Sequence, residues 1–190
     1  MKSLANFFFE VGMLKRTPRS GFQFLGSGAE SVAEHSYRAA IIGFTLARLD
    51  EKADVGRVLQ LCLFHDIPEA RTGDLNYVNK KYVQVDEQRA VDDLAETLPF
   101  GDDYRELVAE FSVQESHEAQ LAHDADQLEM ILALKEYKDL GNRYADEWYP
   151  FSVRRLKTDT AKRLAESIWS TDSSRWWFDD DEDWWVKGRR

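Results

Sequence analysis

The sequence predicts an all-α protein, and three observations carry that prediction. Only four prolines and ten glycines punctuate 190 residues, too few to cut the chain into many short strands. Apolar residues recur at helical spacing over long stretches, and strand-like alternation is nowhere sustained. The composition, 43% hydrophobic and 32% charged, is that of a globular chain with enough apolar mass for one core. No internal repeat or linker is visible. The expected organisation is a helical bundle of about six to eight helices over residues 1–170, followed by a distinct segment, 171–190.

The elements follow in order. Residues 3–14 form an apolar, amphipathic start. Residues 15–30 hold Pro18, Gly21, Gly26 and Gly28 and read as a loop. Ser31 followed by Glu34 is a capping-box signature and opens a helix that runs to about Asp50. Its stripes are His35, Ala39, Ile42, Leu46, Leu49 and Tyr37, Ala40, Ile41, Phe44, Ala47. They leave little polar circumference, so this helix is expected to be central and buried. Asp54 is suited to cap the next helix. That helix must end or bend near Ile67, because Pro68 lacks a backbone donor and clashes with the preceding turn. Residues 70–83 read as loop around Gly73, and helical patterns resume over 84–98, 103–117, 119–140 and 151–169. In the last twenty residues Trp176, Trp177, Trp184 and Trp185 flank the run Asp179-Asp180-Asp181-Glu182-Asp183. This segment is expected to pack on the domain through its aromatics or to remain flexible.

Charge narrows the function. With 35 acids against 25 bases the net charge is −10, a field that repels phosphate backbones and anionic membranes. Nucleic-acid polymers are therefore disfavoured, and a phosphate-bearing substrate must be small and locally held. A single cysteine, Cys62, excludes an internal disulfide and fits a reducing, cytoplasmic compartment. No apolar run of eighteen residues offers a membrane span, and the apolar N-terminus is too short for a signal peptide.

Polar residues stand where packing residues are expected. His35 lies on the stripe of a buried helix. His65 closes the run Leu61-Cys62-Leu63-Phe64 and is followed by Asp66. A lone buried histidine is more often a hydrogen-bonded core residue than a ligand. A His-Asp pair at one buried helix end needs two groups satisfied, which points to pairing or to a metal. Asp126 shares a helical stripe with Met130, Ala133 and Tyr137, whereas Asp124 is rotated roughly 200° away and is expected to face solvent. Two imidazoles and two carboxylates make a mixed N/O shell suited to a divalent transition metal with open positions. Such an ion lowers the pKa of bound water and polarises a phosphoryl oxygen. Glu69 and Asp74 follow closely and have the chemistry to position a water or move a proton. Arg16 and Arg19 are either phosphate clamps or solvated loop cations. His117 and His123 read as surface or helix-end residues.

These residues and their flanks resemble the HD-domain metal-dependent phosphohydrolases, defined by His … His-Asp … Asp. Glu30-Ser31-Val32-Ala33-Glu34-His35-Ser36-Tyr37-Arg38, Phe64-His65-Asp66-Ile67-Pro68-Glu69-Ala70-Arg71-Thr72-Gly73-Asp74 and Ala125-Asp126-Gln127-Leu128-Glu129-Met130 are similar to the 5′-deoxynucleotidase branch. So is Leu14-Lys15-Arg16-Thr17-Pro18-Arg19-Ser20-Gly21, and the similarity spans roughly residues 4–170. The resemblance implies a compact all-α fold, commonly a homodimer, that hydrolyses deoxyribonucleoside 5′-monophosphates to deoxynucleoside and phosphate. It implies one divalent metal ion, whether cobalt, manganese, magnesium or another, on His35, His65, Asp66 and Asp126. Glu69 and Asp74 match its catalytic acids, with Asp74 orienting or deprotonating the water and Glu69 holding the surrounding network, or the reverse. Arg16 matches its phosphate-contacting arginine. Thr17 stands where bacterial members with defined deoxyribose selectivity carry Trp. Two alternatives stay open: a deoxynucleoside triphosphate or other nucleotide as substrate, and a non-catalytic acidic interaction module.

Overall fold

In a computed structural model describing residues 1–178 and 187–188, helices account for the whole architecture. In chain order they are α1 (Lys2–Val11), a 3-10 turn (Gly12–Lys15), α2 (Phe22–Leu25), α3 (Val32–Leu49), α4 (Val55–Phe64), α5 (Glu69–Thr72), α6 (Asn79–Tyr82), α7 (Glu87–Ala95), α8 (Gly101–Val113), α9 (His117–Asp139), α10 (Ala145–Val153) and α11 (Asp159–Ser170). A last 3-10 turn covers Arg175–Trp177. Eight of the α-helices have nine or more residues, and no strand occurs among the described residues. No helix among them is long and apolar enough to cross a membrane.

Local chemistry sets the main boundaries. Ser31 Oγ accepts from Glu34 N at 3.2 Å and the Glu34 carboxylate accepts from Ser31 N at 2.7 Å, the reciprocal capping box that starts α3. Asp54 Oδ1 accepts from Gly56 N and Arg57 N and starts α4. The α4 helix ends at Phe64 with His65 as its cap, and Pro68 begins the short turn of α5.

Helix α9 is the axis. The helices α3, α4, α8, α10 and α11 all pack on it. Leu46, Leu61, Leu128 and Ile131 lie in the largest apolar cluster, while Phe7, Val32, Leu94 and Tyr104 form a second between the N-terminal helix and α7–α8. At the crossing of α3, α4 and α9, Gly43 lets the helices close. A Cβ there would meet Cys62 Sγ at 2.5 Å and Val58 Cγ1 at 3.2 Å.

Several expectations are corrected. Helix α3 is central, but only one side is covered: Tyr37, Ile41 and Phe44 are exposed, because α4 and α9 occupy the face of Ala39, Ile42 and Leu46. The 15–30 loop contains α2 and an isolated antiparallel bridge, Pro18 to Ser31, which ties it to the start of α3. Residues 70–83 contain most of α5 and all of α6. The pattern over 151–169 is two helices, α10 and α11. Thr158 caps α11 locally, its Oγ1 accepting from Ala161 N at 3.2 Å, and Asp124, wholly buried and not solvent-facing, braces that start by accepting from Lys157 N, Thr158 N and Thr158 Oγ1 at 2.7–2.8 Å. Beyond α11, Ser173 N donates to Asp139, and Trp176 is exposed. Trp184, Trp185 and the acidic run 179–183 lie outside the described residues.

Candidate metal centre

Three elements deliver the four expected ligands to one place. His35 comes from the first turn of α3, His65 and Asp66 from the end of α4, and Asp126 from the middle of α9. His35 Nε2 lies 3.0 Å from Asp126 Oδ1 and 3.6 Å from Asp66 Oδ2, and His65 Nε2 lies 3.2 Å from Asp66 Oδ2. His35, His65 and Asp126 each offer a ligand atom within 4.8 Å of the other two.

The donor set fits a divalent cation. His35 Nε2, His65 Nε2 and Asp66 Oδ2 are buried polar atoms, and none makes a well-aligned hydrogen bond. Such atoms are costly unless something satisfies them. The opposite ring nitrogens are both engaged: His65 Nδ1–H donates to Cys62 O at 3.0 Å, and His35 Nδ1–H donates to Glu129 Oε2 at 2.5 Å. These acceptors select the tautomer whose Nε2 lone pair faces the cluster.

Electrostatics agree. Burial and Arg19 lower the His35 pKa, but Asp126 and Glu129 outweigh them and push it up to about 10 in the metal-free protein. Burial works to raise Asp66 and Asp126, yet the two imidazoles and Arg19 hold both well below the usual carboxylate range.

The ligands open onto a cavity of about 690 Å³. Its polar lining includes Arg19, Glu69, Asp74 and Lys80, and its apolar lining includes Phe22, Trp148 and Phe151. Of the two candidate phosphate arginines, Arg19 reaches this site, 3.8 Å from Asp66 Oδ2, while Arg16 is exposed and does not line the cavity. Thr17 is buried beneath the loop, with Oγ1 donating to Met13 O. Asp74 Oδ2 accepts from Ser20 N at 2.7 Å and so fastens the loop that carries Arg19. Glu69 Oε2 is buried without a partner. Burial, Asp66 and Asp74 push its carboxyl up to about 9. His117 lies outside the cluster, bonded to Asp50 at 2.8 Å, and His123 lies beside Asp124.

The sequence reading gave no role to Glu129 or Arg38. The signal was there: Glu129 stands three residues after Asp126 and Arg38 three after His35, each one helical turn along the same face.

Comparisons with known proteins show the family. The model of the HD domain family matches residues 11–169. The 5′-deoxynucleotidase HDDC2 of Bos taurus is 35% identical over 148 residues, covering 75% of this chain and 71% of its own. That of Xenopus laevis is 30% identical over 181 residues, 91% of this chain and 89% of its own. Among solved structures, a conserved hypothetical protein from Pyrococcus furiosus superposes with a TM-score of 0.72 at 31% identity, over 86% of this chain and 98% of that one. A "predicted metal-dependent phosphohydrolase" from Magnetospirillum magnetotacticum gives 0.71 at 25% identity, over 88% and 89%.

Proposed function

From the premise that this chain belongs to the HD domain family, we propose that it is a metal-dependent 5′-deoxynucleotidase, a phosphoric monoester hydrolase acting on deoxyribonucleoside 5′-monophosphates. The observation that carries the reading is the convergence of three unpartnered buried atoms, His35 Nε2, His65 Nε2 and Asp66 Oδ2, beside Asp126 at a cavity of nucleotide size. One divalent ion is assigned to these four residues. When bound, it supplies polarisation of the phosphoryl oxygen and a more acidic water.

The chain's own residues do the rest. Arg19 faces the phosphate and offsets its charge. Asp74 takes the proton of the attacking water as the new P–O bond forms. Glu69, half-buried and with its carboxyl pushed up to about 9 by burial, Asp66 and Asp74, is suited to give a proton to the 5′-oxygen as the old P–O bond breaks. Phe22, Trp148 and Phe151 offer the nucleoside an apolar wall. Lys80 in the lining favours a second reading, a triphosphate substrate.

We further propose that residues 1–170 form the catalytic unit with 171–190 as an appended tail, and that the protein is a cytoplasmic homodimer. Tyr37, Ile41 and Phe44, an exposed apolar stripe on α3, support the dimer, and a monomer mass by light scattering would overturn it. The deciding experiment measures phosphate release from all ribo- and deoxyribonucleoside monophosphates and triphosphates with a cobalt, manganese and magnesium panel. Orthophosphate from deoxyribonucleoside monophosphates is expected, and Asp66→Ala is expected to abolish it. Triphosphate release would favour the second reading. A metal-free protein with no hydrolysis under any ion would leave only a non-catalytic interaction module.

A further inference from the structure

Glu129 is a fully buried carboxylate that does not line the cavity. Burying such a group is costly unless it is fully paired, and a set of apolar residues in place of Glu129 and its partners would hold the crossing of α3 and α9 as well or better. Its contacts suggest why a carboxylate stands there. One oxygen, Oε2, accepts from His35 Nδ1 at 2.5 Å, while Arg38 Nε and Nη2 converge on the other, Oε1, at 2.9 and 2.6 Å. Arg38 Nη1 in turn donates to Glu136 Oε1 at 2.6 Å. Asp126 and Glu129, one turn apart on α9, thus sit at opposite nitrogens of a single imidazole.

A second cation on Glu30, His35 and Glu129 is the competing use of these groups, since they too cluster closely. Arg38 already supplies positive charge there, 3.7 Å from Glu30 and 2.6 Å from Glu129, so no second ion is needed.

We infer that Glu129, clamped by Arg38, is a positioning residue that fixes the tautomer and ring orientation of His35 and thereby sets the affinity of the centre for its metal. The inference rests on the assignment of His35 as a ligand. In the neutral imidazole that a metal ligand must be, a carboxylate acceptor on Nδ1 keeps the one ring proton there, stops the ring from rotating and makes Nε2 a stronger donor. Arg38 holds the carboxylate without reaching the cavity, so the whole relay acts through His35.

The test titrates Mn²⁺ and Co²⁺ into chelator-stripped protein by calorimetry and by competition with a chromophoric chelator, for wild type, Glu129→Gln, Arg38→Gln and Asp66→Ala. KM and kcat are read at saturating metal, and the visible band of bound cobalt reports ligand orientation. Glu129→Gln is expected to weaken metal binding about 10- to 100-fold, with an altered cobalt band and an unchanged nucleotide KM. Arg38→Gln is expected to weaken it several-fold. Folded Glu129→Gln within twofold of wild type in affinity, with an unchanged band, would overturn the inference. If Glu129→Gln does not fold, Arg38→Gln decides by the same criterion. Asp66→Ala separates the two levels: full affinity in that variant sinks the metal assignment itself, whereas loss there with none in Glu129→Gln sinks only the positioning role.

Discussion

Asp124 and Asp126 are two residues apart on α9 and serve different ends of the molecule. Asp126 faces the metal centre, and Asp124 accepts three donors at the N-terminus of α11. Burial works to raise the Asp124 pKa, but His123 and the donors of Lys157 and Thr158 outweigh it and hold the carboxyl low. A carboxyl depressed in the folded state stabilises above its unfolded pKa, about 3.9, and that contribution is lost as pH falls through the folded value. Asp124→Ala is therefore expected to cost about 3 kcal/mol near neutral pH, measured by urea midpoint, and the gap from wild type should narrow below about pH 4. A variant as stable as wild type at pH 7 would show that the cap is dispensable. The helical wheel gave the rotation between the two aspartates correctly. It failed on what lay there, because α9 is covered on several sides: Ala119, Leu121, Ala122, Ala125, Leu128 and Ile131 are all buried. For a central helix, a turn away from the site leads to another packed element and not to water. The four candidate ligands stood out because His35 and His65-Asp66 interrupt apolar stretches and Asp126 shares a stripe with Met130, Ala133 and Tyr137. Glu129 offered only its one-turn spacing from Asp126, and a carboxylate on a helix reads as solvated until α3 is known to lie against it.

Among the elements, caps at the head of an apolar run were readable, and a cap inside a continuous periodic stretch was not. Ser31 with Glu34, and Asp54, act within three residues and gave the starts of α3 and α4 directly. The start of α11 has its own cap in Thr158, braced by Asp124 more than thirty residues earlier, but the periodic pattern over 151–169 ran the two helices together. The crossing of α3, α4 and α9 carries a second nonlocal constraint at Gly43. A methyl group there would press on Cys62 Sγ and Val58 Cγ1. Gly43→Ala is expected to destabilise by about 2 kcal/mol through overpacking, even though alanine is the better helix former. Cys62→Ala removes the nearest obstacle, and alone it costs on the order of 1 kcal/mol for the space it leaves. Together the two changes should be less damaging than Gly43→Ala alone, a coupling that chemical denaturation of all four proteins would measure. Strictly additive losses would mean that α3 shifts away from α4 instead of meeting the sulfur.

At the scale of the whole molecule, the metal centre is also a joint. The residues proposed as its ligands come from α3, from the end of α4 and from α9, so the cluster exists only when those elements are packed. An ion that binds the folded chain and not the unfolded one stabilises it by mass action, about 2.7 kcal/mol at a hundred times Kd. For a chain of this size that corresponds to a rise in Tm of about 5–10 °C. The net charge of −10 offers a rival cause, since any divalent cation could relieve general repulsion among surface carboxylates. The two causes differ in where they act. General screening depends on total charge and would survive the loss of one carboxylate. Stabilisation by the centre requires Asp66, which stands within 3.6 Å of both imidazole Nε2 atoms. Thermal melts with increasing Mn²⁺ or Co²⁺ are therefore expected to raise the Tm of wild type along a saturating curve, to be reversed by chelator, and to leave Asp66→Ala nearly unmoved. An equal rise in both proteins would place the stabilisation on the acidic surface and remove the centre's claim to be what locks α3, α4 and α9 together.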